Sequence, residues 1–192
     1  MITTKRVSAA CLATIALGLI AILSTARAQE EPQLPKPTEA HKLLQRDVGT
    51  WDATMSIWPA LNAEPIVSKA TETNELLHGG MWLVSRFEGE IFEMPFSGIG
   101  TLGYDPVEKK YVGTWVDSMS PHLMTIKGDY DPATETLTAI AEGRDFETGK
   151  VEKSTHIARY IDENTRSFEI HNTSKAEKPW KVLEIKYKRR AE

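Results

Sequence analysis

From Val48 onward, hydrophobic and polar residues alternate along short segments that are separated by turns. In the last of these segments Leu183, Ile185 and Tyr187 alternate with charged residues. Successive side chains of a β-strand point to opposite faces of a sheet, so this pattern predicts strands with one buried face and one solvated face. Turn sequences such as residues 104–106 (Tyr-Asp-Pro) separate the segments. This part of the chain is therefore predicted to be all-β.

The spacing of the turns predicts about ten strands, with ends placed to within about four residues. They lie near 49–58, 65–77, 80–90, 96–104, 109–118, 122–130, 135–143, 152–161, 165–173 and 179–188. The connections are short, and no stretch is long enough for a βαβ crossover, which leaves an antiparallel up-and-down barrel or a sandwich. The barrel is favoured because closure removes the exposed edges of a long sheet.

The N-terminus predicts an export signal. Residues 1–28 contain a basic start at Lys5 and Arg6, an uncharged and largely apolar run, and the small residues of Ala26-Arg27-Ala28. This three-part pattern is typical of a signal peptide cleaved after Ala28, which would leave Gln29 as the mature N-terminus. An uncleaved membrane anchor is the alternative, since the apolar run approaches the length of a short membrane-spanning helix. We expect a periplasmic or secreted protein.

Two further segments precede the strands. Residues 29–37 contain three prolines and little to bury, which predicts an extended linker. Thr38 is a suitable N-cap and Leu43 and Leu44 form an apolar stripe, so a short helix is predicted at about 38–46. The barrel domain is accordingly expected to span residues 38–192.

Charge restricts the class of partner. Residues 1–28 contain three of the 23 basic side chains and none of the 27 acidic ones, so the mature chain has a formal charge of −7. An acidic domain is repelled by nucleic acid and by anionic lipid, so neither is an expected partner. The only cysteine, Cys11, lies in the signal segment, so stability is expected to come from the buried core and not from disulfides.

Sequence motifs predict no cofactor. Residues 98–103 match G-x-G-x-x-G, but a turn and not a helix follows them, so the glycines are interpreted as relieving crowding where a strand bends. None of the five histidines has the short spacing of a metal site. His156 and His171 lie in predicted strands, where a surface or hydrogen-bonded role is the simplest interpretation. No serine or cysteine has the setting of a nucleophile.

Two strands each place a tryptophan and a charged residue on one face. Trp82 shares a face with Arg86, and Trp115 shares a face with Asp117. Since exposing tryptophan is costly, we predict that all four side chains point into the barrel. There they would line a ligand pocket, because a charge inside a barrel must be paired or bound. The alternatives are a purely structural pair of Arg86 with Asp117, or charges that face outward.

Several motifs resemble those of the bacterial family called domain of unknown function 1579. They include residues 98–119, Val48-Gly49-Thr50-Trp51, and Gly128-Asp129-Tyr130-Asp131. The resemblance implies an exported, lipocalin-like fold, in which a short helix precedes a Gly-x-Trp strand whose tryptophan closes one end of the barrel. Here Trp51 would be that residue. The family has no established activity, so the resemblance leaves function open.

Three functions follow from these observations. The favoured one is binding of a small, partly apolar ligand by Trp82, Arg86, Trp115 and Asp117, since small-molecule sites combine apolar walls with few polar groups. The second is an enzyme of hydrolase or isomerase type, with Asp117 as base and Arg86 stabilising negative charge. The third is a haem-binding barrel similar to nitrobindin, although no histidine can be assigned from the sequence as its axial ligand.

Overall fold

The computed structural model describes residues 34–145, 148–172 and 179–191. The chain first forms a 3-10 turn, Glu39–His41, and a short helix α1, Lys42–Gln45, where one helix was predicted; a second 3-10 turn, His78–Gly80, connects two strands. The ten strands are β1 (Gly49–Ile57), β2 (Ile66–Leu77), β3 (Trp82–Ile91), β4 (Met94–Asp105), β5 (Lys110–Asp117), β6 (Ser120–Asp131), β7 (Thr136–Arg144), β8 (Val151–Tyr160), β9 (Thr165–Asn172) and β10 (Trp180–Arg189). Each strand lies within two residues of its predicted position.

The strands form a closed antiparallel barrel. Each strand pairs with the next along the chain, and β10 returns to pair with β1, where Met55 lies opposite Ile185. The predicted up-and-down barrel is therefore confirmed, and the sandwich alternative is wrong. Closure leaves no strand edge unpaired, which is the physical advantage on which the prediction depended.

The barrel has two different ends. At the helix end, where β1 begins, α1 packs Leu43 and Leu44 against inner-face side chains of the strands. The far end is where β1 finishes at Ile57. Next to the helix end lies a first apolar cluster, and further along the barrel a second cluster surrounds Trp51 and Met55. Trp51 is only 1% exposed, as expected for a tryptophan that helps to close the barrel.

Residues 1–33 lie outside the described residues, and with them the predicted signal peptide and most of the predicted linker. Residues 35–37 have no regular secondary structure. Among the described residues, no helix has the length and apolar character needed to cross a membrane.

Candidate functional site

Toward the far end of the barrel, several side chains of the inner wall remain partly exposed to solvent. Five side chains point inward here, because each lies on the face of its strand that carries buried residues, yet each remains partly exposed: Phe96, Trp115, Met124, Ile170 and Leu183. Side chains that face inward and still contact solvent must border accessible space. The lining is mainly apolar, which is the character of small-molecule sites. This part of the interior is the candidate functional site.

A buried ionic network lies closer to the helix end. The Arg166 guanidinium contacts the Glu72 carboxylate at 2.5 Å and the Asp47 carboxylate at 3.2 Å, and all three side chains are at least nine-tenths buried. Burial raises the pKa of Asp47, and the nearby Arg166 only partly opposes it. Burial would lower the pKa of Arg166, but the two carboxylates outweigh it and raise that pKa instead. The guanidinium is therefore charged.

Hydrogen bonds extend this network. The hydroxyl of Tyr187 donates to Glu72 and that of Tyr160 donates to Asp47, both at 2.8 Å. The Asn74 amide nitrogen donates to the Asp47 carbonyl at 2.9 Å and to the Glu72 carboxylate at 2.8 Å. Burial raises the pKa of both tyrosines, so both hydroxyls remain donors. Nearly every polar group of the network is thus bound within the protein.

Trp51 connects this network to the helix end of the barrel. The Arg166 guanidinium lies 4.7 Å from the centroid of the Trp51 ring, and the Arg189 guanidinium lies 4.1 Å from it. Arg189 also donates to the main-chain carbonyls of Arg46, at 2.7 Å, and Val48. The indole nitrogen donates to the Asp47 carbonyl at 2.8 Å. Trp51 and Arg189 therefore hold the segment after α1 across the end of the barrel.

Trp115 and Asp117 both lie on the inner face. The indole nitrogen of Trp115 donates to one carboxylate oxygen of Asp117 at 2.9 Å, and the main-chain nitrogen of Met119 donates to the other at 2.9 Å. The indole packs directly on β4: a Cβ atom built on Gly98 would lie 2.2 Å from the Trp115 ring. The glycines of this motif thus make room for a tryptophan. Within the described ranges, Asp117 belongs to no ion pair.

Trp82 and Arg86 lie on the outer face, so the prediction that they point into the barrel is wrong. Trp82 is 38% exposed and lies flat over Gly103, where a Cβ atom would come within 2.7 Å of its ring. Arg86 is 52% exposed and pairs with Glu75 at 2.5 Å. The physical reason is that Gly103 has no side chain, so the Trp82 indole can pack against the outer wall there. Much of the ring is shielded from solvent in this way without pointing into the barrel.

This placement separates the four predicted residues into two pairs. Trp115 and Asp117 come together inside, and Trp82 and Arg86 share the outer wall. The proposed pair of Arg86 with Asp117 does not form, so neither a structural pair nor an enzyme that uses both residues is supported by the geometry. Ligand binding by Trp115 and Asp117 stays a prediction.

His156 lies on the inner wall and His171 on the outer one. Burial lowers the pKa of His156 to about 4, so its ring is neutral at pH 7. The ring is 7% exposed, lies edge-on to Phe168, and has Nε2 3.1 Å from the Ser154 hydroxyl. His171 contacts Glu169 at 2.9 Å. The part of the chain that the structure describes contains no group of three potential metal ligands.

A second concavity lies on the outer faces of β1, β2 and β3, and its lining is charged. Its polar groups are partly engaged within the chain: Asp52 pairs with Arg190, and Lys69 donates to Thr54 at 2.7 Å. It is wide open to solvent on the outside of the barrel, so it could not enclose a small molecule. We therefore do not regard it as the candidate site.

Sequence reasoning missed the ionic network. Its residues are far apart in the chain, and Arg166 and Glu72 meet only because barrel closure leaves just β1 and β10 between β2 and β9. A signal was available in the alternation, since Glu72 follows Ala70 on one face of β2, and Arg166 precedes Phe168 on one face of β9. A charged residue in phase with buried neighbours indicates a buried partner elsewhere.

Solved structures share this fold. The protein Rv2717c from M. tuberculosis is 13% identical with a TM-score of 0.58, and the match covers 80% of this chain and 99% of that one. The S-type phycobiliprotein lyase CPES from Guillardia theta is 11% identical with a TM-score of 0.52, and the match covers 81% and 94%. At such identities the likeness shows the fold alone. A comparison with curated proteins finds no significant match.

The model of one protein family matches residues 36–189, which includes α1 and all ten strands. The motifs that suggested this family, among them Gly49-Thr50-Trp51 and residues 98–119, lie within the matched range. The chain therefore belongs to the family described as protein of unknown function DUF1579.

Proposed function

We propose that this protein is exported and binds a small, partly apolar molecule inside the barrel, toward the far end. The observation that carries the proposal is the set of inward-facing apolar side chains that remain partly exposed. A closed barrel whose interior were fully packed would bury them, because close packing is the normal state of a protein core. A barrel shared with a phycobiliprotein lyase is compatible with small-molecule binding.

The two halves of the interior have different roles in this proposal. The network of Asp47, Glu72 and Arg166 is closed by its own hydrogen bonds and supports the barrel. The far half offers the walls of Phe96, Trp115 and Ile170 and a polar group, Asp117, that has no cation beside it within the described part of the chain. A ligand would bury its apolar part against these walls and direct a polar part to Asp117.

The test is uptake of the neutral fluorescent probe N-phenyl-1-naphthylamine by the purified mature protein. We expect saturable enhancement of probe fluorescence. Ile170→Trp fills the inner wall and should weaken probe binding about tenfold, a loss of about 1.4 kcal/mol. Ile140→Trp is the matched control, because Ile140 is 47% exposed on the outer face, and its binding should be unchanged.

Circular dichroism must show that both variants fold. If Ile170→Trp does not, Leu183→Phe provides a smaller change on the same wall. The proposal fails if the unmodified protein does not enhance probe fluorescence, or if folded inner-wall variants and the outer control bind the probe equally well.

A further inference from the structure

The inner face carries its charges unevenly. Of the described strands, none places a lysine on the inner face, and the arginines that lie there are Arg166 and Arg189. Both are engaged, Arg166 by Glu72 and Asp47, and Arg189 by main-chain carbonyls. An anionic ligand would therefore find no uncommitted cation on these strands.

Asp117 offers the opposite charge in a prepared geometry. Two N–H donors, from Trp115 and Met119, fix its carboxylate, and each of its oxygens keeps further acceptor capacity. The Trp115 indole lies beside it with one face against Gly98. A carboxylate next to an aromatic ring suits a cation, which is attracted both by the charge and by the π-electrons of the ring.

We propose that the ligand is cationic: an alkyl or aryl amine, protonated at neutral pH, whose ammonium group is bound by Asp117 beside Trp115. This inference rests on the proposed function, since it names the chemical class of the molecule that the interior binds. It predicts that the head group, and not the apolar chain alone, decides which molecules bind well.

The experiment compares three competitors that share one chain: decylamine, decanol and decanoate. Each displaces N-phenyl-1-naphthylamine from the mature protein at pH 7.5, where the amine is cationic and the acid anionic. We expect decylamine to displace the probe at a concentration about tenfold or more below that of decanoate. Hydrogen bonds to a charged partner are strong enough to give a difference of this size. Decanol should be intermediate. This comparison needs no variant.

Asp117→Asn should abolish the preference for decylamine and leave displacement by decanol unchanged. Glu88→Gln is the matched control, since it removes the same charge from an exposed position on the outer face of β3, and it should retain the preference. Equal or better displacement by decanoate overturns this inference, as does a preference that survives Asp117→Asn. If decanol displaces the probe without any head-group preference, this inference fails and the binding function stands. If the probe itself does not bind, both fail.

Discussion

Replacing Arg166 with methionine tests whether the buried network is as important as its geometry indicates. Arg166 contacts Glu72 and Asp47 and lies 3.9 Å from the centroid of the Tyr187 ring. Methionine can fill the apolar contact but leaves two buried carboxylates without their cation. Removing one partner of a buried pair costs about 3–5 kcal/mol. Because two acids are stranded here, we expect a loss of about 4 kcal/mol, a large share of a typical domain's stability.

Urea unfolding at pH 7, followed by tryptophan fluorescence, measures this loss. With a slope of about 2 kcal/mol per M, the midpoint should fall by about 2 M. Arg86→Met is the matched control: Arg86 and Glu75 form an ion pair whose side chains are each 52% exposed, and such pairs contribute less than about 1 kcal/mol. Adding Glu72→Gln to Arg166→Met should recover part of the loss, because one stranded charge is removed.

The pH dependence of the Arg166→Met variant gives a further check. Without the cation, burial alone acts on Asp47, and the folded state holds a proton on this carboxylate more tightly than the unfolded state does. The stability of the variant should therefore rise as the pH falls from 7 toward 5, since the unfolded chain releases that proton above a pKa of about 4. A loss no larger than that of Arg86→Met, or one that neither Glu72→Gln nor lower pH relieves, would refute the reasoning.

Four further results are expected. Trp51→Ala should cost about 3–5 kcal/mol in urea unfolding, as large aromatic deletions do, and a loss below about 1 kcal/mol would contradict its burial between two arginines. Burial lowers the pKa of His156 to about 4 in the folded state, so stability should be retained above pH 6.5 and fall by about 3 kcal/mol as the pH decreases to 4. His156→Gln should remove this loss of stability at low pH. A variant with the same pH profile as the unmodified protein would contradict the prediction. Haem titration should give no sharp Soret band, since the His156 ring is covered and engaged by Ser154; a band lost in His156→Gln would reverse this prediction. Intact mass of the exported protein should correspond to a chain that begins at Gln29, and a membrane-bound product retaining residues 1–28 would indicate an anchor.

The comparison of Trp82 with Trp115 shows where sequence reasoning reached its limit. Alternation correctly predicted that each tryptophan shares a face with its charged neighbour. It could not tell which face of a strand is the concave one, and the assumption that tryptophan must be inside failed for Trp82. Glycines on opposite faces of β4 accept both rings: Gly98 receives Trp115 from the inside, and Gly103 receives Trp82 from the outside.

The ionic network illustrates a second limit. Alternation puts residues 72 and 166 in phase with apolar neighbours on their own strands, but no local pattern indicates that only β1 and β10 separate β2 from β9 on the barrel wall. Only closure of β10 onto β1 brings these strands around one axis. The partner of a buried charge is therefore a property of the tertiary structure.

By itself, the sequence determined the class of fold, the number and positions of the strands, the burial of Trp51 and the family. These properties depend on local periodicity, on turn residues and on short motifs, which lie within a few neighbouring positions. The tertiary structure decided that the sheet closes, which face of each strand is the inner one, and that Asp117 meets Trp115 while Arg86 pairs with Glu75 outside. The reason is physical: period-two alternation fixes which side chains share a face, but only the register between strands gives that face a direction.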